Sequence, residues 1–307
     1  MKNKKLIIVL GMHRSGTSFV ASAVNSLGFD VGDRLMPSQP DNPKGFFEDL
    51  DFFDFNNQLL KVTGREWSSV YPITHQDFLL LKDKRYIQSA KDLLLKKLDR
   101  VDKYLIKDPR ITILLPFWQQ VIKELKVAVK YIFTIRNPLA VASSLQTRNM
   151  FSLEYGYFLW LQYIITPCQN FDEHDQLLII DYDNFIDFPD PEYSRLASFL
   201  DVKQNSQEIK IFKTNFLDTT LRHNRFSLQQ CLESNSCPQI IKDIYQRLKA
   251  VSVGEEVFTD LSSDGKIWSK QFDNLKHALK LSDEYHKKLQ KSISELVLTK
   301  SSVSERD

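Results

Sequence analysis

The sequence predicts an α/β fold built on a mainly parallel sheet. Short runs of β-branched and apolar residues recur along the first 180 residues, and segments with helical spacing separate them. Polar motifs follow the carboxyl ends of these runs, which is where open parallel sheets bind their ligands. After about residue 222 the strand pattern fades, so a helical extension should follow the sheet.

A strand, a tight loop and a helix are predicted in residues 6–28. Residues 6–10 (LIIVL) form a continuous apolar run, which is typical of a strand buried on both faces. From Ser18 onward apolar residues recur at helical spacing, and Gly28 stands where a helix C-cap belongs. The glycine-containing segment 11–18 between them should therefore be a tight loop.

Three further strands are predicted downstream, at residues 104–106, 127–135 and 177–180. The second of these ends at residues 136–138 (RNP) and passes into a helical pattern. Proline is favoured in the first turn of a helix, so this junction indicates a strand that leads directly into a helix.

The C-terminal region is predicted to be a helical extension of the α/β domain. We place the domain at residues 1–225 and the extension at 226–307, with a flexible polar tail from about residue 299. Apolar residues near heptad spacing, among them Phe272 and Leu289, predict a helix there. That helix either packs on the chain's own core or pairs two copies into a homodimer, and both possibilities stay open.

The composition of the 307 residues excludes several classes of protein. Forty-one Lys and Arg against 39 Asp and Glu leave a net charge of +2, so no global field attracts nucleic acid or anionic membrane, and an anion site must be local. Three cysteines are too few for a disulfide framework, and no Cys/His spacing resembles a zinc site. No apolar run reaches the ~20 residues of a membrane span. We therefore expect a cytoplasmic protein.

Residues 11–18 (GMHRSGTS) predict a phosphate-binding loop. They lie between a buried strand and a helix, where backbone N–H groups and the positive end of the helix dipole can hold a phosphate. The loop of nucleoside triphosphate enzymes has a lysine after its last glycine. Here Thr17 follows Gly16, and the cation, Arg14, comes earlier. The loop therefore favours a single phosphate with a short substituent.

This loop resembles the 5′-phosphosulfate loop of sulfotransferases that use 3′-phosphoadenosine 5′-phosphosulfate (PAPS). A second segment is similar to the family's 3′-phosphate segment, since strand 131–135 leads into Arg136 and Ser144 follows eight residues later. A guanidinium and a hydroxyl two helical turns apart can converge on one dianion. The resemblance extends from Leu6 to about Leu221 and leaves the C-terminal region unexplained.

The resemblance implies a three-layer α/β/α fold of the P-loop-like type, PAPS as co-substrate, no metal, and an acceptor hydroxyl or, less often, an amine. A glycan, a lipid or a small metabolite is the expected acceptor. It also implies a set of donor-binding residues, which are Arg14, Ser15, Gly16, Thr17, Ser18, Arg136, Ser144, Tyr182 and Arg222.

Three residues are candidates for the chemistry. Arg14 should touch the 5′-phosphosulfate, and Lys107 stands at a strand end where the family has a catalytic lysine that stabilises the transferring group.

Some branches of the family use a histidine in the segment that matches residues 107–109, and this chain has none there. A carboxylate is then the expected base. Glu48 lies among phenylalanines, and apolar surroundings strengthen a carboxylate as a base.

Alternatives stay open for both the base and the reaction. Asp49 and Asp51 compete with Glu48 as the base. Residues 177–181 (LLIID) have the form of a magnesium-binding strand, which would support a degenerate P-loop kinase or nucleotide hydrolase. The missing loop lysine argues against that reading. A nucleotide-binding partner protein without turnover is the third hypothesis.

Overall fold

A four-stranded parallel sheet forms the centre of the fold in the computed structural model, which describes residues 4–39, 42–172, 174–217, 224–255 and 258–304. The strands are β1 (Lys5–Gly11), β2 (Lys103–Lys107), β3 (Val129–Ile135) and β4 (Leu177–Asp181), and their order in the sheet is β2-β1-β3-β4. All three strand pairs are parallel.

Helices account for most of the remaining described residues. They are α1 (Thr17–Ser26), α2 (Leu50–Val62), α3 (His75–Leu81), α4 (Lys84–Leu98), α5 (Pro109–Ile113), α6 (Leu115–Leu125), α7 (Pro138–Asn149), α8 (Leu153–Asn170), α9 (Tyr182–Asp187), α10 (Pro189–Phe199), α11 (Ser206–Phe216), α12 (Leu228–Glu233), α13 (Gln239–Ser252), α14 (Phe258–Asp273) and α15 (Lys276–Ser304). Within the described ranges, no helix combines the length and the apolar character needed to cross a membrane.

The sheet separates two apolar cores, because alternate residues of a buried strand point to opposite faces. Ile7 and Val9 of β1 join the core formed with α1, α9, α10 and α11. Leu6, Ile8 and Leu10 join the larger core formed with α2, α4, α6 and α8. The predicted three-layer α/β/α fold with a parallel sheet is therefore confirmed.

The strand register brings the predicted motifs to one edge of the sheet. Val9 of β1 pairs with Lys107 of β2, and Ile135 of β3 pairs with Asp181 of β4. These residues lie at the carboxyl ends of their strands, where parallel sheets carry their ligand sites. The loop after β1 and the segments after β2, β3 and β4 consequently lie side by side.

The C-terminal helices pack on the α/β body. α14 contacts α8 so closely at Gly265 that an added Cβ would lie 2.5 Å from the backbone of Cys168. Among the residues near heptad spacing, Phe272 is buried in the larger core, whereas Leu289 is exposed. The residues near heptad spacing therefore include a core residue and an exposed one. The domain boundary near residue 225 stays a prediction.

Candidate functional site

A cavity of about 530 Å³ opens at the carboxyl ends of the strands. The predicted site residues that line it are Arg14, Gly16, Thr17, Ser18, Glu48, Lys107, Arg136, Ser144 and Tyr182. Ser15 lies in the same loop and is buried, and Arg222 lies outside the described residues. Segments far apart in the sequence therefore meet at one place.

The backbone of the loop between β1 and α1 is arranged to receive an anion. α1 follows Gly16, with no side-chain cap at its N-terminus and no acidic residue in its first turn. Arg14 and Gly16 adopt positive φ angles of 68° and 83°. The Thr112 hydroxyl anchors the start of the loop, since it accepts from the Gly11 N–H at 2.9 Å and donates to the Gly11 carbonyl at 3.1 Å. This geometry suits a phosphate group.

Gly16 is the one loop position at which both the backbone and a neighbouring ring exclude a side chain. Its φ is +83°, and an added Cβ would lie 2.0 Å from the Tyr182 ring. We expect Gly16→Ala to lower the free energy of unfolding by more than the ~1–2 kcal/mol of a left-handed backbone alone, because Tyr182 must also move. Gly28→Ala is the matched control, since its φ is +87° and no atom lies within 4 Å. If denaturant unfolding showed the same loss in the free energy of unfolding for both variants, the contact with the Tyr182 ring would have no role.

The two predicted anion-binding segments meet in the cavity. Arg14 Nε donates to Ser144 Oγ at 2.8 Å, across 130 residues of sequence. Arg136 donates to the carbonyl oxygens of Arg14 at 2.9 Å and of Asn224 at 2.8 Å. Its guanidinium lies 4.8 Å from the centre of the Tyr182 ring. The loop and the residue after β3 therefore form one continuous cationic surface.

Lys107 and Glu48 form a buried ion pair beside the phosphate loop, with Nζ and Oε1 2.7 Å apart. The ammonium also donates to the Phe46 carbonyl at 2.9 Å and to Ser18 Oγ at 3.2 Å. All three N–H donors of the lysine are thus in use. The longest of these hydrogen bonds goes to the Ser18 hydroxyl. An oxyanion bound at the loop could therefore replace this hydroxyl as the acceptor with the smallest loss of hydrogen-bond energy.

The surroundings of Glu48 include cations as well as the phenylalanines that the sequence predicts. Its second carboxylate oxygen lies 3.6 Å from an Arg110 nitrogen, so cations approach both oxygens. Of the neighbouring phenylalanines, Phe46 and Phe47 line the cavity with Glu48, the Phe53 ring lies 4.2 Å from the Arg110 guanidinium, and Phe52 packs 5.5 Å from Trp118. Glu48 is therefore an ion-paired carboxylate with both cations and phenylalanines around it.

The competing carboxylates, Asp49 and Asp51, are bound to Lys97 and do not line the cavity. Lys97 Nζ lies 2.6 Å from Asp49, 2.7 Å from Asp51 and 2.9 Å from Asp33. The hydrogen bond from Lys97 holds the pKa of Asp51 below its usual value. The oxygens of these three aspartates are close enough together to bind a cation, and a lysine ammonium already bonds to all three. Of these three candidate carboxylates, Glu48 is the one that lines the cavity.

Asp181, the acidic residue of the possible magnesium-binding strand, does not line the cavity. One of its oxygens accepts from the Asn184 N–H at 2.8 Å and so caps α9. The other lies 3.2 Å from Lys249 Nζ and 3.3 Å from the Tyr245 hydroxyl. These partners give Asp181 a structural role at the end of β4.

The cavity also includes cations that the sequence does not single out. Lys44 and Arg148 line it. Arg148 follows Ser144 by four residues on α7, so helical spacing could have placed it on the same face. Its guanidinium lies 5.6 Å from the centre of the Trp67 ring. Among the described lining residues, five are Lys or Arg and one is acidic, which suits a ligand with several negative charges.

His13 contributes an uncharged ring to the cavity wall. The ring centre lies 4.5 Å from that of Trp67 and 6.1 Å from that of Tyr163. Burial, and then the positive charge of Arg110 and other nearby cations, holds the pKa of His13 well below its usual range. Its Nε2 is buried and has no hydrogen-bond partner among the described residues. His13 therefore packs against aromatic rings.

Comparisons with known proteins give distant structural likenesses. No protein-family model matches the chain, and no curated protein matches it. The solved structures that resemble it include a sulfotransferase domain from the Synechococcus PCC 7002 olefin synthase, at 15% identity and a TM-score of 0.46 over 81% of this chain and 94% of that domain. A sulfotransferase domain from the curacin biosynthetic pathway has 14% identity and a TM-score of 0.46 over 81% and 97%. The sulfotransferase STF9 from Mycobacterium avium has 14% identity and a TM-score of 0.46 over 81% and 77%. Likenesses this distant carry no argument about function, so the chain's own residues must support one.

Proposed function

We propose that the protein transfers a sulfuryl group from PAPS to a hydroxyl, or less often an amine, of a glycan, lipid or small metabolite. The contact between the two anion-binding segments carries this proposal. Arg14 of the loop bonds to Ser144, and Arg136 bonds to the loop backbone, all within one cavity. A donor with phosphate groups on both its 5′ and 3′ positions needs cations at two adjoining places, and this arrangement supplies them.

The proposed donor would lie across the carboxyl edge of the sheet. Its 5′-phosphosulfate would meet Arg14 and the start of α1, where backbone N–H groups and the helix dipole favour an anion. Its 3′-phosphate would meet Arg136 and Ser144, with the Tyr182 ring beside the adenosine. The remaining loop contacts would come from Ser15, Gly16, Thr17 and Ser18. A contact from Arg222 stays a prediction.

The chemistry requires three events at the transferring group. The acceptor oxygen forms a bond to sulfur, the bond between sulfur and the 5′-phosphate oxygen breaks, and 3′-phosphoadenosine 5′-phosphate (PAP) leaves. Arg14 and Lys107 would stabilise the negative charge that grows on the leaving oxygen. Glu48 would take the proton of the acceptor hydroxyl as the new bond forms. The 2.7 Å pair between Lys107 and Glu48 keeps both groups beside the loop.

Two other functions have weaker support. A kinase or nucleotide hydrolase would need a metal-binding acid in the cavity, whereas Asp181 caps α9 and contacts Lys249. A nucleotide-binding partner protein without turnover would have no use for Glu48, a carboxylate that lines a cationic cavity and pairs with Lys107.

Nucleotide binding tests the donor half of the proposal. We expect PAP to bind far more tightly than ADP in the presence of EDTA, because Arg136 and Ser144 would hold the additional phosphate. Arg136→Ala should weaken PAP binding by about 1.5–3 kcal/mol, as for a hydrogen bond to a charged group, and should change ADP binding little. Titration calorimetry measures both affinities.

Arg136→Lys is the control for this variant, because Arg136 also supports the backbone of Arg14. The lysine keeps the charge, so part of the preference for PAP should survive. Equal affinity of the native protein for PAP and ADP, or an absolute need for magnesium, would overturn the proposal and favour the kinase.

A further inference from the structure

The C-terminal helix α15 binds the backbone of residues 64–71, which follow α2 and contain no helix or strand. We call these residues the Trp67 segment. Asp283 of α15 is buried, and its carboxylate accepts from the Val70 N–H at 2.8 Å and from the Tyr71 N–H at 3.4 Å. Lys287, one helical turn further on, donates to the Gly64 carbonyl at 2.8 Å. The helix therefore contacts the segment near both of its ends.

Two tyrosines of α8 complete the attachment of the Trp67 segment. The Tyr155 hydroxyl lies 3.1 Å from an Asp283 oxygen and 2.9 Å from the Ser68 carbonyl oxygen. The Tyr163 hydroxyl donates to the Trp67 carbonyl at 2.8 Å. Buried backbone groups need hydrogen-bond partners, and here side chains of α8 and α15 supply them. The conformation of the segment consequently depends on these two helices.

The Trp67 side chain connects this attachment to the cavity. Its ring centre lies 4.5 Å from that of His13 and 5.6 Å from the Arg148 guanidinium. His13 and Arg148 line the cavity, whereas Trp67 stands behind them. A shift of the segment would therefore remove the support of two residues in the cavity wall.

His13 and Arg148 share their surroundings with Glu48. An Arg110 nitrogen lies 3.6 Å from the Glu48 carboxylate. After burial, the charge of Arg110 and then that of Arg148 contribute most to holding the pKa of His13 below its usual range. Neither His13 nor Arg148 belongs to the proposed donor-binding set. This part of the wall therefore lies where an acceptor would approach Glu48.

We propose that α15 positions the acceptor side of the cavity, because Asp283 fixes the Trp67 segment and the Trp67 ring keeps His13 and Arg148 in place. This inference rests on the proposed function. It gives the C-terminal region, which the resemblance to sulfotransferases leaves unexplained, a part in the transfer. Asp283 and Trp67 are positioning residues, since neither lines the cavity.

Sulfuryl transfer and PAP binding, measured on the same variants of the full chain, test this proposal. The acceptor probe is the fraction of glycan, lipid and metabolite pools that takes the most sulfuryl label from the native chain. We expect Asp283→Ala to lower kcat/KM for this fraction by at least about tenfold, because a displacement of ~1 Å can cost about 10²-fold. PAP affinity should stay at the native value. Asp283→Asn keeps an oxygen that can accept from the Val70 N–H, so it should recover part of the loss.

A double-variant comparison tests whether Asp283 acts through Trp67. Trp67→Ala should also lower kcat/KM for the acceptor fraction, and the double variant should lose no more than the more impaired single variant. Losses that multiply would show that Asp283 acts by another route, which would overturn the proposal. If Asp283→Ala does not fold, Trp67→Ala and Lys287→Ala decide the matter, since unchanged acceptor use in both would equally overturn it.

Asp264→Ala is the matched control. Asp264 is an aspartate of the same C-terminal region, but its carboxylate pairs with Arg247 at 3.0 Å. It should change thermal stability without changing acceptor use. An equal loss of transfer in this control, or a parallel fall of PAP affinity in Asp283→Ala, would show a general defect and overturn the proposal. Absence of transfer by the native chain would contradict the proposed function itself, whereas native transfer that Asp283→Ala and Trp67→Ala leave unchanged would overturn this inference alone.

Discussion

Replacing Glu48 with glutamine should remove most turnover while leaving the donor site intact. The glutamine amide keeps the shape of the side chain and can still accept a hydrogen bond from Lys107, but it cannot take up the proton of the acceptor. A general base typically contributes about 10²–10⁴-fold to the rate, so we expect kcat to fall by that factor. PAP affinity should stay at the native value, as measured by calorimetry.

Asp51→Asn is the matched control for this variant. Asp51 lies three residues from Glu48, but it bonds to Lys97 and does not line the cavity. We therefore expect it to change stability more than turnover. A loss of less than tenfold for Glu48→Gln would show that Glu48 is not the base. A Glu48→Gln variant that fails to fold would instead show that the carboxylate is needed for local structure.

Replacing Lys107 with methionine should lower turnover by about 10²–10³-fold, the usual effect of losing one electrostatic donor at a transition state. Charge on the leaving phosphate grows as the bond to sulfur breaks, so the lysine should matter more for kcat than for donor affinity. Steady-state kinetics with the donor as the varied substrate separates the two. A variant that only raises the KM for the donor would show that Lys107 binds the donor and does not take part in the transfer.

The same substitution should also destabilise the fold, because Glu48 would lose its partner at 2.7 Å while staying buried. Breaking a buried ion pair from one side costs about 3–5 kcal/mol. The double variant with Glu48→Gln and Lys107→Met removes both charges, so it should recover part of that stability without recovering turnover. Recovery of stability in the double variant separates a folding defect from a catalytic one.

The strands could be predicted because their signal is local. A run of apolar residues at 6–10 is enough to indicate β1, which spans Lys5–Gly11. The prediction for the third strand begins two residues too early, at residue 127, because the Val127 N–H bonds back to the Ile122 carbonyl at the end of α6. Apolar character alone cannot distinguish a residue that follows the end of a helix from one that begins a strand.

The partners of the site residues could not be predicted, because they depend on contacts between distant segments. Lys97 lies on α4 and bonds to Asp49 across 48 residues of sequence, and no local pattern indicates that pairing. Arg110 likewise reaches Glu48 only through the packing of α5 on α2. The sequence therefore predicts which residues lie at the carboxyl ends of the strands, but only the structure shows which of them form ion pairs.

Transfer of a labelled sulfuryl group is the direct test of whether the protein is a sulfotransferase. The full chain is incubated with PAPS labelled in its sulfuryl group and with pools of glycan, lipid and metabolite acceptors, and in parallel with ATP labelled in its γ-phosphate plus magnesium. We expect the sulfuryl label to move to an acceptor in the presence of EDTA, PAP to form in equal amount, and Glu48→Gln to abolish both. Transfer or hydrolysis of the γ-phosphate label, with the sulfuryl label left on the donor in every pool, would contradict this expectation.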